Sequence, residues 1–303
     1  MRKVAYAGWK NCYKLTNGKI ELILTGDVGP RIIRFGFVGG PNEFCEWPEQ
    51  LGTIGGDAWK IYGGHRLWHA PEIEPRTYAP DNEKVEVQDH KQFIRAIQPV
   101  ETLTGMQKEM DIALSAKANH VQVTHRITNK GQWAVELAPW ALSVMAPGGV
   151  AIIPLPPRGS HPENLLPNTV MIAWAYTDMT DPRWTWGKKT ILLCQQQGEN
   201  VLPQKIGFGL VDGWAAYANG GRLFLKQFPY IKGAKYPDGG CNFEAFTNKQ
   251  MLEVESLGPL TTLQPGATVE HIEQWHLFSG VQAPQTESDV NRNVLPLLKK
   301  VLR

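Results

Sequence analysis

Residues 251–266, Met251-Leu252-Glu253-Val254-Glu255-Ser256-Leu257-Gly258-Pro259-Leu260-Thr261-Thr262-Leu263-Gln264-Pro265-Gly266, run through a Pro-Gly turn into a stretch ending Glu273-Gln274-Trp275-His276-Leu277. The turn and the apolar/polar alternation on either side of it predict two β-strands. Alternation places Glu253 and Glu255 on one face of the first strand, and Leu252 and Val254 on the other. On the second strand it groups His271, Glu273 and Trp275. Two carboxylates on one face, with Phe243, Phe246 and Met251 just upstream, predict a polar cleft on a sheet. A carboxylate among aromatic groups is desolvated, which moves its pKa up towards the range of a general base. The plainer alternative is that both glutamates face water, as charges on an antiparallel strand usually do. Same-face neighbours lie only ~7 Å apart along a strand, which suits one base and a helper on one side of a ligand.

The rest of the chain repeats the pattern of short strands and turns. Tyr13–Thr16 and Lys19–Thr25 flank Asn17-Gly18, the strongest two-residue hairpin signal, and Arg31–Val38 follows a Gly-Pro turn. Asn129-Lys130-Gly131, Pro147-Gly148-Gly149, Asn219-Gly220-Gly221 and Asp238-Gly239-Gly240 punctuate further strands. With 30 Gly and 22 Pro among 303 residues, long helices are excluded over most of the chain. The expected fold class is all-β, a large antiparallel β-sandwich over residues 1–285 forming one domain. Residues 286–303 are expected to form a short C-terminal helix packed on that domain. There Ser288 is the expected cap, Val290, Val294, Leu297, Leu298 and Val301 form the apolar stripe, and Pro296 kinks the helix. A dimer contact is the alternative role for this tail. The proline-rich stretch 154–168 reads as a long loop of the ligand-facing kind.

Composition narrows the partners. A net charge of +2 without a run of five like charges argues against nucleic acid or a membrane surface, and no apolar run approaches the ~20 residues of a membrane span. The N-terminus reaches Lys10 before any apolar stretch long enough for a signal peptide, so a cytoplasmic protein is expected. Cys12, Cys45, Cys194 and Cys241 are dispersed without a Cys-x-x-Cys pair, so buried free thiols are expected rather than disulfides or a zinc knuckle. The 11 Trp residues belong mostly to the core, but tryptophan also stacks on sugar rings. The expected partner is therefore a small-molecule sugar or sugar derivative, with no cofactor.

Three more segments carry candidate site residues. Tyr62-Gly63-Gly64-His65-Arg66-Leu67-Trp68-His69-Ala70-Pro71-Glu72 gathers His65, Arg66, Trp68, His69 and Glu72 behind a glycine pair that lets the backbone bend close to a ligand. His65 is a proton donor and Arg66 an anion clamp in this reading. The alternative is that His65 satisfies a turn carbonyl. A metal is not expected: four residues span ~13 Å on a strand, which separates His65 from His69. In the loop from Tyr176 to Gly187, Asp178 and Arg183 are candidates for binding sugar hydroxyls, with an Asx turn and an internal Asp–Arg pair as the plainer explanation. Lys226, alternating with Leu225, is a candidate anion ligand, with a solvated lysine as the default.

Several of these stretches resemble the galactose mutarotase-like superfamily: Tyr13 to Leu22, Gly29-Pro30-Arg31-Ile32-Ile33-Arg34-Phe35, Thr128-Asn129-Lys130-Gly131, Leu137-Ala138-Pro139-Trp140 and Leu263-Gln264-Pro265-Gly266. The resemblance runs in order over residues 12–280, and it is nearer to uncharacterised branches than to the true aldose epimerases. It implies a β-supersandwich with a sugar cleft on one sheet. It also implies a sugar epimerase or isomerase, in which a late-strand glutamate takes the proton from the anomeric hydroxyl and a histidine protonates the ring oxygen. Position relative to Pro265-Gly266 makes Glu255 the counterpart of that glutamate, with Glu253 second. The place of the histidine reads Pro139-Trp140-Ala141-Leu142, so His65, ahead of His125 and His69, is the expected substitute. Arg66, Trp68, His69, Glu72, Asp178, Arg183, Lys226, Glu253 and Glu273 are the expected sugar-binding residues. A non-catalytic carbohydrate-binding protein using the same cleft is the alternative function.

Overall fold

The computed structural model describes residues 1–302 and is an antiparallel sandwich of two large sheets. The first sheet has the strand order Arg2–Tyr6, Trp9–Thr16, Ile20–Thr25, Arg31–Phe37, His65–Ala70, Val135–Met145, Leu252–Leu257, Phe243–Thr247, Gln204–Phe208, Met171–Ala173. The short strand Thr261–Leu263 pairs beside it with Val135–Met145. The second sheet runs Trp184–Trp186, Thr190–Cys194, Val150–Pro154, Trp214–Asn219, Arg222–Gln227, Thr268–Ser279, His120–Asn129, Met106–Leu114, Ile94–Ile97, Glu86–Asp89. The expected fold class is the one found.

Local chemistry explains the elements. Asn17 turns the hairpin between Trp9–Thr16 and Ile20–Thr25 by accepting the Lys19 and Ile20 N–H groups at 3.0 Å, and Gly18 takes the left-handed φ of +84° that its turn needs. Between the sheets lie apolar side chains from alternate positions, centred on Phe35, Phe44, Phe224 and Trp275 with ring centroids 5.6–6.2 Å apart. Gly63 and Gly64 allow close backbone approach, though to protein and not to a ligand. A Cβ on Gly63 would sit 2.0 Å from the Cys45 carbonyl oxygen, and one on Gly64 2.5 Å from that of Ile32.

The tail differs from the expected single helix. Thr286, not Ser288, is the cap, in a capping box with Asp289. A turn at Glu287–Asp289 leads into a π-helical stretch at Val290–Val294 and a last turn at Leu295–Leu298. Pro296 has no N–H to continue the ladder, and Leu295 N–H reaches back to the Val290 carbonyl instead. Val290, Val294 and Leu298 pack on Ile152, Leu192, Ala216, Leu223 and Leu225, so the tail covers the outer face of the second sheet. No helix among the described residues is long and apolar enough to cross a membrane. Cys12, Cys45 and Cys241 are buried free thiols, and Cys194 is half-buried.

Candidate functional site

Strand register assembles the site on the outer face of the first sheet. Arg66 pairs across to Leu142, Leu142 to Glu255, and Glu255 to Glu244, giving one row over four strands. A second row carries Trp68 beside Trp140, and a third carries Val144, Glu253, Phe246 and Lys205. Trp59, Ile61, Glu72, Tyr78 and Tyr176 close over these rows from loops, leaving a cleft of about 280 Å³. That size is near the lower end of small-molecule sites, roughly 300–1,000 Å³. Residues 154–168 lie elsewhere; the cleft's loop walls come from the segments around residues 59–61, 72–78 and 176.

The polar groups of the cleft are tightly arranged. Lys205 Nζ lies 2.8 Å from Glu244, 3.7 Å from Glu255 and 3.9 Å from Glu72. It is held between the rings of Trp140 and Trp174 at 4.6 and 4.7 Å, a cation–π arrangement. Arg66 Nη2 pairs with Glu253 at 3.0 Å while its guanidinium lies 4.5 Å from the Trp68 ring centre. Trp140 Nε1 donates to Glu255 Oε2 at 2.8 Å, and the Tyr78 hydroxyl donates to Glu72 at the rim. Left without a protein partner are buried Glu255 Oε1, Arg66 Nε and Nη1, and Trp59 Nε1. Buried polar groups are normally bonded, so these donors and acceptors call for water or a polyhydroxylated ligand.

Burial raises the Glu255 carboxyl from 4.5 to about 7, against the opposing pull of Lys205. Burial likewise pushes Glu244 well above the usual carboxylate range. For Lys205, burial works to lower the pKa, but Glu255 and Glu244 outweigh it and keep the ammonium charged. A carboxyl poised near neutrality beside a fixed cation suits proton transfer.

Among the residues named from sequence, the structure brings Arg66, Trp68, Glu72, Glu253 and Glu255 together. His65, His69, Lys226 and Glu273 lie elsewhere, their side chains buried between the sheets. His65 directly precedes Arg66 on one strand, and alternation sends the two to opposite faces. It therefore does not share the cleft with Glu255. Asp178 is an exposed Asx-turn residue bonded to Thr180, and Arg183 is bonded to Asp181 and the Leu202 carbonyl.

His65 belongs instead to a polar network inside the sandwich. His125 Nδ1 lies 3.0 Å from the His271 carbonyl oxygen, which can only accept, so that nitrogen carries the proton. Burial lowers the His125 pKa to about 3 and keeps the ring neutral. Its bare Nε2 then accepts from His65 Nε2 at 2.7 Å, and His65 Nδ1 accepts from the Ser143 hydroxyl at 2.8 Å. Glu273 accepts from Trp275 Nε1 at 2.7 Å, Ser256 Oγ at 2.5 Å and Lys226 Nζ at 2.8 Å. Lys226 Nζ also donates to the Val254 carbonyl at 2.9 Å. His65, His125 and Glu273 bring possible ligand atoms within 4.8 Å of one another. Two nitrogens on one tetrahedral ion at ~2.0 Å sit roughly 3.3 Å apart, wider than the hydrogen-bonded pair, and the Lys226 ammonium opposes a further cation. His69 is buried with both ring nitrogens unpartnered, and burial lowers its pKa to about 3.

Lys205, Trp140, Trp59, Tyr78 and Tyr176 line the cleft, and Glu244 pairs with Lys205; none was assigned from the sequence. The available signal was Gln204-Lys205-Ile206-Gly207-Phe208, a short alternating run. Its glycine admits Cys241 and Trp174, whose atoms a Cβ there would meet at 2.5 and 3.2 Å.

No family model and no curated protein matches the sequence. Solved structures do match its fold. The Slr1438 protein from Synechocystis sp. PCC 6803 superposes with a TM-score of 0.57 at 12% identity, over 92% of this chain and 100% of that one. A galactose mutarotase-like protein from Lactobacillus casei ATCC 334 gives 0.57 at 11% identity over 88% and 100%. A galactose mutarotase related enzyme from Lactobacillus acidophilus gives 0.56 at 11% over 91% and 100%. With its two antiparallel sheets, the chain has the galactose mutarotase-like fold.

Proposed function

We propose that the protein binds a sugar in the Glu255 cleft and acts as an aldose 1-epimerase-like isomerase at the anomeric centre. The observation that carries this reading is the set of buried, unpartnered groups, Glu255 Oε1, Arg66 Nε and Nη1, and Trp59 Nε1, in an aromatic-walled cleft. A sugar offers hydroxyl donors to the carboxylate, hydroxyl acceptors to the guanidinium and indole, and an apolar ring face to tryptophan.

In the proposed reaction, Glu255 takes the proton of the anomeric hydroxyl. The C1–O1 bond becomes a carbonyl as the bond from C1 to the ring oxygen breaks. Charge developing on the ring oxygen is met by the Lys205 ammonium, and reclosure on the other face of the carbonyl, with return of the proton to O1, gives the other anomer. The two oxygens share one carbon, so neighbouring groups on one side of the ligand suffice. Arg66, Glu253 and Glu72 hold hydroxyls, and Trp68 walls the ring. The free thiols support a reducing, cytoplasmic setting.

A non-catalytic sugar-binding protein is the second reading. It is favoured by the position of His65 between the sheets, which removes the expected acid from the Glu255 cleft. Polarimetry of fresh α-glucose and α-galactose separates the two. An epimerase accelerates mutarotation, and Glu255→Gln abolishes the acceleration. Sugar binding without acceleration would leave only the binding reading for those sugars.

A further inference from the structure

The charges of the cleft say which sugars it takes. Four carboxyl groups, from Glu72, Glu244, Glu253 and Glu255, face two cations, Arg66 and Lys205, and each cation is already engaged. Arg66 is 3.0 Å from Glu253, and Lys205 touches the other three carboxylates at 2.8–3.9 Å. All but Glu72 are buried. A phosphate or carboxylate on the ligand would bring its negative charge into a low-dielectric site where neither cation is left unpaired. A positive charge would meet carboxyl groups able to ionise against it. The unpartnered Glu255 Oε1 is a fully buried acceptor in the cleft. The unpartnered Arg66 nitrogens require oxygen acceptors, so the cation must come on a polyhydroxylated frame.

We propose that the cleft selects a sugar carrying a free ammonium group, with the ammonium on Glu255 and ring hydroxyls on Arg66, and that it rejects phosphorylated and uronic sugars. This rests on the sugar-cleft reading above and names its ligand class. Glu255 shares its proton balance with Lys205, Glu253, Glu244 and Arg66, so an arriving ammonium favours the ionised carboxylate and displaces a proton to solvent.

Isothermal titration calorimetry at pH 6 tests this with D-glucosamine and D-galactosamine, their N-acetyl forms, glucose, galactose, glucose 6-phosphate and glucuronate. The expected result is at least tenfold tighter binding of one amino sugar than of its N-acetyl and hydroxyl counterparts. Proton release should accompany it, seen as a dependence of the heat on the buffer's ionisation enthalpy. Glu255→Gln should cut the preference for the amino sugar below threefold. Equal binding of neutral and amino sugars, or tighter binding of glucuronate or glucose 6-phosphate, overturns the proposal and leaves the sugar-cleft reading standing. Failure of every sugar to bind overturns both.

Discussion

Glu255→Gln should stabilise the protein at alkaline pH and leave it nearly unchanged in acid. The glutamine keeps the shape of the protonated carboxyl and can still accept from Trp140 Nε1, which bonds Glu255 at 2.8 Å. Burial raises the Glu255 pKa from 4.5 to about 7 in the folded protein, so the folded state binds this proton more tightly than the unfolded chain does. Stability from the neutral form is fully present below about 4.5 and is lost as the pH rises through about 7. The difference of about 2.5 pH units, at ~1.4 kcal/mol each, puts the cost of ionised Glu255 at about 3–4 kcal/mol above pH 8. The amide variant cannot ionise and escapes this cost. Urea unfolding of both proteins at pH 4.5 and pH 8.5 measures it, with the slope of each transition checked for constancy. The variant should match the parent at pH 4.5 and unfold at clearly higher urea at pH 8.5. Equal midpoints at both values, or a variant weaker at pH 8.5, would refute the account, because the Lys205 pairing would then have outweighed burial.

Three further outcomes follow from the same geometry. His65→Ala should cost about 2–4 kcal/mol, because it opens a cavity and strips His125 Nε2 and Ser143 Oγ of their partner; ligand affinity of the folded protein, read by calorimetry, should stay within twofold. Loss of binding in a well-folded variant would return His65 to the site. Gly63→Ala puts a Cβ 2.0 Å from the Cys45 carbonyl at a φ of +96°, and should cost more than about 4 kcal/mol or abolish soluble expression; a parent-like melting temperature would contradict the close approach. Thr286→Ala removes the capping box and should cost about 1 kcal/mol, seen as faster amide exchange in the tail, whereas unchanged exchange would show that the cap does not hold it.

The sandwich was readable because its signals are local. Asn17-Gly18 turns a hairpin through its own side chain and φ, and the Leu-Gln-Pro-Gly turn separates the two late strands. The glutamate cleft was readable from alternation alone, although Glu253 and Glu255 are buried, where charges on a strand ordinarily suggest a wet face. The same alternation also separates His65 from Arg66, and assigning both to one cleft gave chemical company more weight than backbone geometry. Lys205 was hidden for a different reason. Its partners Glu244, Glu255 and Glu72 are brought to it by strand pairing and a loop, and the charged residues nearest it in sequence, Glu199 and Asp212, are not among them. Asp178 and Arg183 looked like ligand groups because their local partners, Thr180 and Asp181, are as polar as a sugar.

The Lys226 ammonium, bonded to Glu273 on its own sheet and to the Val254 carbonyl on the other, has a mechanical consequence. Oily faces pressed together resist separation but not sliding, since contact area changes little when one layer glides over the other. A directional bond at the centre of the interface makes that glide costly, because a displaced ammonium would lose its acceptors in a place water cannot reach. Val254 lies between Glu253 and Glu255, so the strand carrying the cleft's carboxylates is fixed in register against the opposite layer. Together with the Ser256–Glu273 and His65–His125 bonds, it resists shear between the layers.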